Sequence, residues 1–395
     1  MQDRNHLSNV KTTHEVALIE NGLLEIPMIQ LLDQEGVETN PDETPNLDET
    51  TAKKIASTMQ YIRLLDERMV GAQRQGRISF YLSCTGEEAS TVGSAAALSE
   101  HDMIMSQYRE QGALAYRGYT TEQFMNQMFS NKLDPNKGRQ MPIHYGDKAL
   151  NFMTVSSPLG TQIPQASGYA YGQKMAGNDA ITICYFGEGA ASEGDFHAGV
   201  NMAAVLNCPV IFFCRNNGYA ISTPAEEQFK GDGIASRGIG YGVKTIRVDG
   251  NDVLAVYAAT KKAREIALAE NCPVLIEAMT YRLAAHSTSD DPTGYRSKDE
   301  EEKWRAKDPI DRFTRWLDKK GWFDKEATEQ FLDKSRSDIL AAVKTAEKVD
   351  VAPIEDIVED VYDTPPWHLQ EQLSSLKEHI KRYPEHYPKT AGRIK

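Results

Sequence analysis

Short apolar runs separated by helical patterns fill the middle of this 395-residue chain, and few architectures can accommodate them. Ala180–Phe186 reads as a buried strand, 193 to 206 as a helix, and Pro209–Cys214 as a second buried strand. Val243–Val248, a helix across 252 to 269, and Val274–Thr280 repeat the pattern. The runs at 180–186, 209–214 and 274–280 are mostly apolar, so both faces of those strands must be covered. Such strands alternating with helices give an α/β fold, a parallel sheet with helices on both faces.

The ends of the chain read differently. Residues 33 to 52 are acidic, contain proline and are weakly periodic, as in an exposed arm or linker. A helix follows, with Ile55, Met59, Ile62, Leu65 and Met69 at steps of three and four and Gly71 and Gly76 near its end. Beyond about residue 299 charged residues and tryptophans recur at helical spacing. The expected division is an N-terminal extension over 1–50, an α/β domain over 51–300, and a helical tail over 301–395 packed on that domain.

Composition narrows the function classes. A formal net charge of −13 is a poor match for nucleic acid or an anionic membrane, and neither is expected as a partner. The five cysteines form no C-x-x-C pair and several lie inside apolar runs, as expected of free buried thiols in a reducing compartment. No apolar run approaches the ~20 residues that a membrane span needs. The first residues carry neither a basic start with an apolar stretch nor an Arg-rich pattern. The expected setting is the cytoplasm, or the mitochondrial matrix for a mature chain whose presequence has been removed.

In an open parallel sheet, ligands bind beyond the carboxyl ends of the strands. The first central strand ends in Gly187-Glu188-Gly189-Ala190-Ala191-Ser192-Glu193-Gly194-Asp195, and the second in Arg215-Asn216-Asn217-Gly218-Tyr219-Ala220-Ile221-Ser222. Glycines let backbone approach a phosphate, and the start of a helix offers free N–H groups. Glu188 in the middle of the loop would repel that phosphate unless a divalent cation stood between them. Magnesium takes about six oxygens, often one or two carboxylates plus phosphates. The second loop offers an Asn side-chain oxygen and a nearby backbone carbonyl. The pair of loops therefore reads as a Mg-diphosphate site. A dinucleotide fingerprint would need Gly or Ala where Ser192 stands, and a P-loop lysine is missing.

Gly187-Glu188-Gly189 followed, after 26 residues, by Asn216-Asn217 resembles the thiamine-diphosphate motif of the transketolase-like superfamily, with Glu in place of the usual Asp. Three longer stretches resemble the alpha subunits of branched-chain 2-oxoacid dehydrogenases: Tyr185 to Asp195, Arg215 to Pro224, and His286-Ser287-Thr288-Ser289-Asp290-Asp291. The likeness runs from about residue 55 to the C-terminus. It implies the thiamine-diphosphate-binding fold and oxidative decarboxylation of branched 2-oxoacids such as 3-methyl-2-oxobutanoate, with acyl transfer to a lipoyl group on an acyltransferase core. It also implies a beta subunit, in an α₂β₂ heterotetramer, that completes the site. The nearest rival within the same family is a pyruvate or acetoin dehydrogenase alpha subunit.

The resemblance also implies residue roles. Glu188, the Asn217 side chain and the Tyr219 carbonyl would hold Mg²⁺. Gly187, Gly189 and Ala190 would line the diphosphate, with Tyr108 and Arg109 as a clamp and Arg215 suited to the same task by its guanidinium fork. Ser157, Leu159 and Ile221 match positions against the rest of the cofactor. Ser156, Pro158, Thr161 and Gln162 resemble a structural potassium site. His286, just beyond the strand at 274 to 280, is the expected acid–base residue and a cofactor contact, with an ordinary pKa near 6.5. The residue before it, a second His in the related pattern, is Ala285 here. The stretch from 286 to about 297 has few apolar anchors, so its order must come from hydrogen bonds and ion pairs.

Overall fold

The computed structural model describes residues 25–387. Seven strands form one sheet: β1 (Met28–Ile29), β2 (Met103–Met105), β3 (Phe152–Met153), β4 (Thr182–Gly187), β5 (Val210–Asn216), β6 (Lys244–Asp249) and β7 (Val274–Met279). Their order is β1-β6-β7-β5-β4-β2-β3, and every neighbouring pair is parallel.

The expected fold class is observed, and the reason lies in side-chain alternation. Tyr185 and Phe213 belong to one buried cluster with Ile183 and Ile211, which includes residues of the helices Glu49–Arg74, Glu88–Ala96 and Val253–Glu270. Cys184, Phe186, Phe212 and Cys214 belong to the opposite cluster, with residues of Gln162–Met175 and Gly194–Leu206. The central strands β4 and β5 thus bury both faces, which explains their apolar runs. The helices Pro309–Lys319 and Lys325–Ala346 close the structure by burying Phe313, Trp316, Leu317, Ile339 and Val343. Among the described residues no helix is long and apolar enough to cross a membrane.

The stretch over 33 to 52 is mostly exposed, as expected, while the residues just before it are tied into the sheet. Residues 1–24 of the proposed extension lie outside the described residues. β1 pairs with β6, and Leu31, Leu32 and Leu47 are buried. The first helix begins at Glu49, where the Asp48 side chain accepts from the Thr51 amide at 2.8 Å, and it runs through Gly71 to Arg74.

Asp252 is the tie. One of its oxygens accepts from the amides of Leu254 and Ala255, capping the helix Val253–Glu270. The other accepts from the amides of Leu31 and Leu32 at 2.7 and 2.6 Å. Arg312, from the tail, donates to Asp249 at 2.8 Å and to the Asp33 carbonyl at 3.0 Å. Asp252→Ala removes a cap and leaves buried amides unpaired, so a loss of roughly 2–4 kcal/mol is expected in denaturant unfolding. A loss under ~0.5 kcal/mol, the range of ordinary surface substitutions, would mean that the arm is held by other contacts.

Parallel register aligns the strand ends that matter. Gly187 pairs with Arg215, and Asn216 with Met279. The loops after β4, β5 and β7 therefore leave the sheet side by side.

Candidate active site

Those three loops enclose a cavity of about 220 Å³. It is lined by Tyr108, Arg109, Leu159, Gly187, Glu188, Gly189, Ala190, Arg215, Asn217, Tyr219, Ile221 and His286, twelve of the positions expected from sequence. Larger grooves lie elsewhere, such as one of about 650 Å³ beside the helix Lys325–Ala346, but none gathers a comparable set of convergent groups. Ser157 is exposed on the adjoining loop and is not part of the lining.

Glu188 is the most informative residue. It is buried, its Oε1 has no hydrogen-bond partner, and its Oε2 accepts from the Asn217 amide at 3.3 Å. Burial pushes its pKa up, because a bare carboxylate is costly without water or a counter-charge. A cation would remove that cost. Asn217 and Tyr219 line the same cavity with oxygens available. Among the described residues there is no group of three or more His, Cys, Asp or Glu fit to hold a metal. A site of one carboxylate, one amide and one backbone carbonyl has the composition of a magnesium site completed by phosphate oxygens.

The glycines divide their work. A Cβ on Gly189 would lie 2.7 Å from the Ala220 Cβ, so the two loops can approach only with glycine there. A Cβ on Gly187 would meet nothing nearer than 3.9 Å, leaving open space on the cavity side. The Gly187 N–H is already bound to Gln107 Oε1 at 2.9 Å, so Gly187 serves a ligand by lacking a side chain and not by donating.

The arginines depart from the expected clamp. The Arg215 guanidinium is buried against two carboxylates, Nε to Glu110 at 2.6 Å and Nη1 to Glu87. Arg109 donates to the Ser83 carbonyl through Nη1 and to the His286 carbonyl through Nη2 at 2.6 Å. Neither offers an open fork. Both contribute positive charge and hold neighbouring groups in place.

His286 is half-buried between Arg109 Nη2 at 3.1 Å and Arg282 Nη1 at 3.4 Å, both facing its Nδ1. Burial and these two cations push its pKa down to about 3, which corrects the ordinary value expected from sequence. The imidazole is neutral at physiological pH. With Nδ1 facing donors, the assigned tautomer carries its proton on Nε2. The following loop is held as its polarity requires: Asp290 accepts from the His286 amide at 2.7 Å and from the Tyr295 hydroxyl at 2.6 Å. Arg282 Nη2 donates to the Tyr295 hydroxyl at 3.1 Å and to the Ile221 carbonyl at 2.7 Å. Ile221 has φ 59°, a strained conformation for a β-branched residue, at the mouth of the cavity.

Of the expected potassium ligands, Ser156, Pro158 and Thr161 converge. The Thr161 hydroxyl oxygen lies 2.9 Å from both the Ser156 hydroxyl and the Pro158 carbonyl. Gln162 turns its amide nitrogen to the Tyr185 carbonyl at 3.0 Å. Sequence reasoning missed Gln107, Glu87 and Glu110. A signal existed for one of them: Glu87 and Glu88 are the only charged residues between Arg77 and Glu100, and both are buried.

A family model described as "Dehydrogenase E1 component" matches residues 56–355. The chain is 53% identical over 364 residues to the mitochondrial 2-oxoisovalerate dehydrogenase subunit alpha of Mus musculus, covering 92% of this chain and 82% of the relative. The protein of the same name in Caenorhabditis elegans is 53% identical over 365 residues, covering 92% and 84%. In Arabidopsis thaliana, the mitochondrial 2-oxoisovalerate dehydrogenase subunit alpha 1 is 48% identical over 378 residues, covering 95% and 80%. With strand-end loops of this chemistry and a match across most of its length, the chain belongs to the dehydrogenase E1 component family.

Proposed function

We propose that this chain is the alpha subunit of the decarboxylating component of a branched-chain 2-oxoacid dehydrogenase complex. The observation that carries the reading is the buried, unpartnered Glu188 oxygen between two strand-end loops, in a chain about half identical to proteins named 2-oxoisovalerate dehydrogenase subunit alpha. Those names favour the branched-chain substrate over pyruvate or acetoin. They also carry the word mitochondrial, which supports the matrix and gives no support to a cytoplasmic setting.

When bound, thiamine diphosphate supplies the electron sink that decarboxylation of a 2-oxoacid needs. Glu188, Asn217 Oδ1 and the Tyr219 carbonyl would hold the Mg²⁺ that accompanies its diphosphate. Gly187 leaves room for the phosphates, and Gly189 lets the two loops meet. Ser156, Pro158 and Thr161 gather oxygens suited to a potassium ion that would stiffen the loop carrying Leu159. His286 presents an Nε2–H donor to the reacting end, its ring direction fixed by Arg109 and Arg282.

A beta subunit would complete the site in an α₂β₂ assembly, and the acyl group would pass to a lipoyl-bearing acyltransferase core. Surface character supports this. Leu159 and Ile221 line the cavity yet are 40% and 55% exposed. Tyr169, Tyr171, Met175, Val205 and Leu206 form further exposed apolar surface on the neighbouring helices Gln162–Met175 and Gly194–Leu206. The tail from 301 to 387 is proposed as part of the same packed unit, and residues 388–395 of the expected tail lie outside the described residues.

The test is co-expression. Purified alone, the chain is expected to show no decarboxylation of 3-methyl-2-oxobutanoate above background. With its beta subunit, thiamine diphosphate and Mg²⁺, turnover in the range of about 1–10³ s⁻¹ is expected. Full activity from the chain alone would defeat the shared-site reading.

A further inference from the structure

Glu87 is fully buried yet is not part of the cavity lining. It stands where the chain enters the helix Glu88–Ala96, directly after Gly86. Gly86 has φ 98°, and a Cβ on it would lie 2.3 Å from the Tyr281 carbonyl oxygen. The backbone is therefore locked at this point, and the Glu87 carboxylate has a fixed origin.

Its two oxygens serve two partners. Oε1 accepts from Asn217 Nδ2 at 3.0 Å, and Oε2 accepts from Arg215 Nη1. Arg215 Nε continues to Glu110 Oε1 at 2.6 Å. The other oxygen of Glu110 accepts from the amides of Gln107, Tyr108 and Arg109 at 3.0, 3.1 and 3.1 Å. One chain of charge-assisted hydrogen bonds thus joins the loop after β5 to the turn that carries Tyr108 and Arg109.

The bond to Asn217 has a directional consequence. A carboxylate only accepts, so the Asn217 amide must give it the nitrogen and turn the oxygen elsewhere. Oδ1 accepts from the Tyr219 amide at 3.2 Å and keeps a second lone pair. The Asn217 backbone amide meanwhile touches Glu188 at 3.3 Å, which places both residues at one point of the cavity. Were the amide reversed, its oxygen would oppose the Glu87 carboxylate and its nitrogen would oppose any cation beside Glu188. Both contacts are repulsive.

We propose that Glu87 is a positioning residue that presets the Asn217 amide with its oxygen available to the divalent cation. The proposal deepens the functional reading above and rests on its assignment of Glu188, Asn217 and Tyr219 as metal ligands. Glutamine at this position could face Asn217 with either its oxygen or its nitrogen, so the orientation would no longer be imposed.

The test uses the assembled complex with its beta subunit, titrating Mg²⁺ at a fixed saturating concentration of thiamine diphosphate and following binding by calorimetry. For Glu87→Gln, half-saturation by Mg²⁺ is expected to rise about 10- to 100-fold, the usual cost of losing a partner that orients a metal ligand. kcat at saturating Mg²⁺ should fall by a smaller factor. A lower kcat with an unchanged Mg²⁺ requirement would reveal a structural role only and overturn the proposal. If Glu87→Gln fails to assemble, Glu87→Asp carries the same test, since it keeps the charge facing Arg215 while drawing back from Asn217. An unchanged Mg²⁺ requirement there would overturn it equally. Wild-type complex that binds thiamine diphosphate equally well without Mg²⁺ would instead defeat the metal-site reading on which the proposal rests.

Discussion

Glu188→Ala is expected to raise the dissociation constant of thiamine diphosphate, measured with Mg²⁺ on the assembled complex, by roughly two orders of magnitude or more. Losing a group that merely orients a metal ligand costs about 10- to 100-fold, so losing the carboxylate ligand itself should cost no less. The ion is the largest charge in such a site, and the diphosphate depends on it. The fold should survive. The buried carboxylate has one oxygen without a partner, and the other accepts an amide bond at 3.3 Å. Removing it therefore relieves a desolvation cost as well as losing a contact. The variant without cofactor should melt at or near the wild-type temperature, while the rise in melting temperature on adding cofactor and Mg²⁺ should disappear. Unchanged cofactor affinity would remove Glu188 from the metal site.

His286→Ala is expected to lower turnover by roughly 10²–10⁴-fold, the range for a lost proton-transfer or proton-donating group. The pH behaviour distinguishes its role. A neutral imidazole whose pKa lies near 3 does not titrate between pH 5 and 8, so the pH profile of the wild-type complex should show no limb from His286 in that interval. Stability carries the same signature with a definite sign. Between pH 6.5 and about 3 the unfolded chain binds a proton at this residue that the folded chain does not, so stability falls as pH falls through that window. His286→Ala should flatten that acid-side fall in melting temperature. Normal turnover in the variant, or a fall in stability as steep as the wild type's, would contradict the assignment.

What could be read from sequence follows from where each signal resides. The long strands Thr182–Gly187, Val210–Asn216 and Val274–Met279 announce themselves because both of their faces are buried, leaving apolar runs too dense for a loop. Met28–Ile29 and Phe152–Met153 are two residues each, too short for any period, and they exist because a neighbouring edge offers hydrogen bonds. The stretch over 33 to 52 reads as exposed from its acids and prolines, and most of it is, but nothing in the sequence signals that the strand and leucines just before it are built into the fold. Their tie to the fold is Asp252, more than 200 residues away, together with Arg312.

At the candidate site the loops were legible because glycines, an acid and an Asn pair occur together at strand ends. The charge networks were not. Arg215 reads in isolation as a phosphate ligand, and only the fold brings Glu87 and Glu110 against it. The His286 pKa is likewise lowered by burial in the fold and then by Arg109, 177 residues distant in the chain.

The most direct measurement of the central claim is kcat/KM of the complex with its beta subunit for a series of 2-oxoacids, with a lipoyl acceptor, thiamine diphosphate and Mg²⁺ present. 3-Methyl-2-oxobutanoate and other branched 2-oxoacids are expected to exceed pyruvate by at least about tenfold, the scale on which an apolar pocket discriminates by a methyl or methylene group. Pyruvate turned over as well as or better than the branched acids would contradict it.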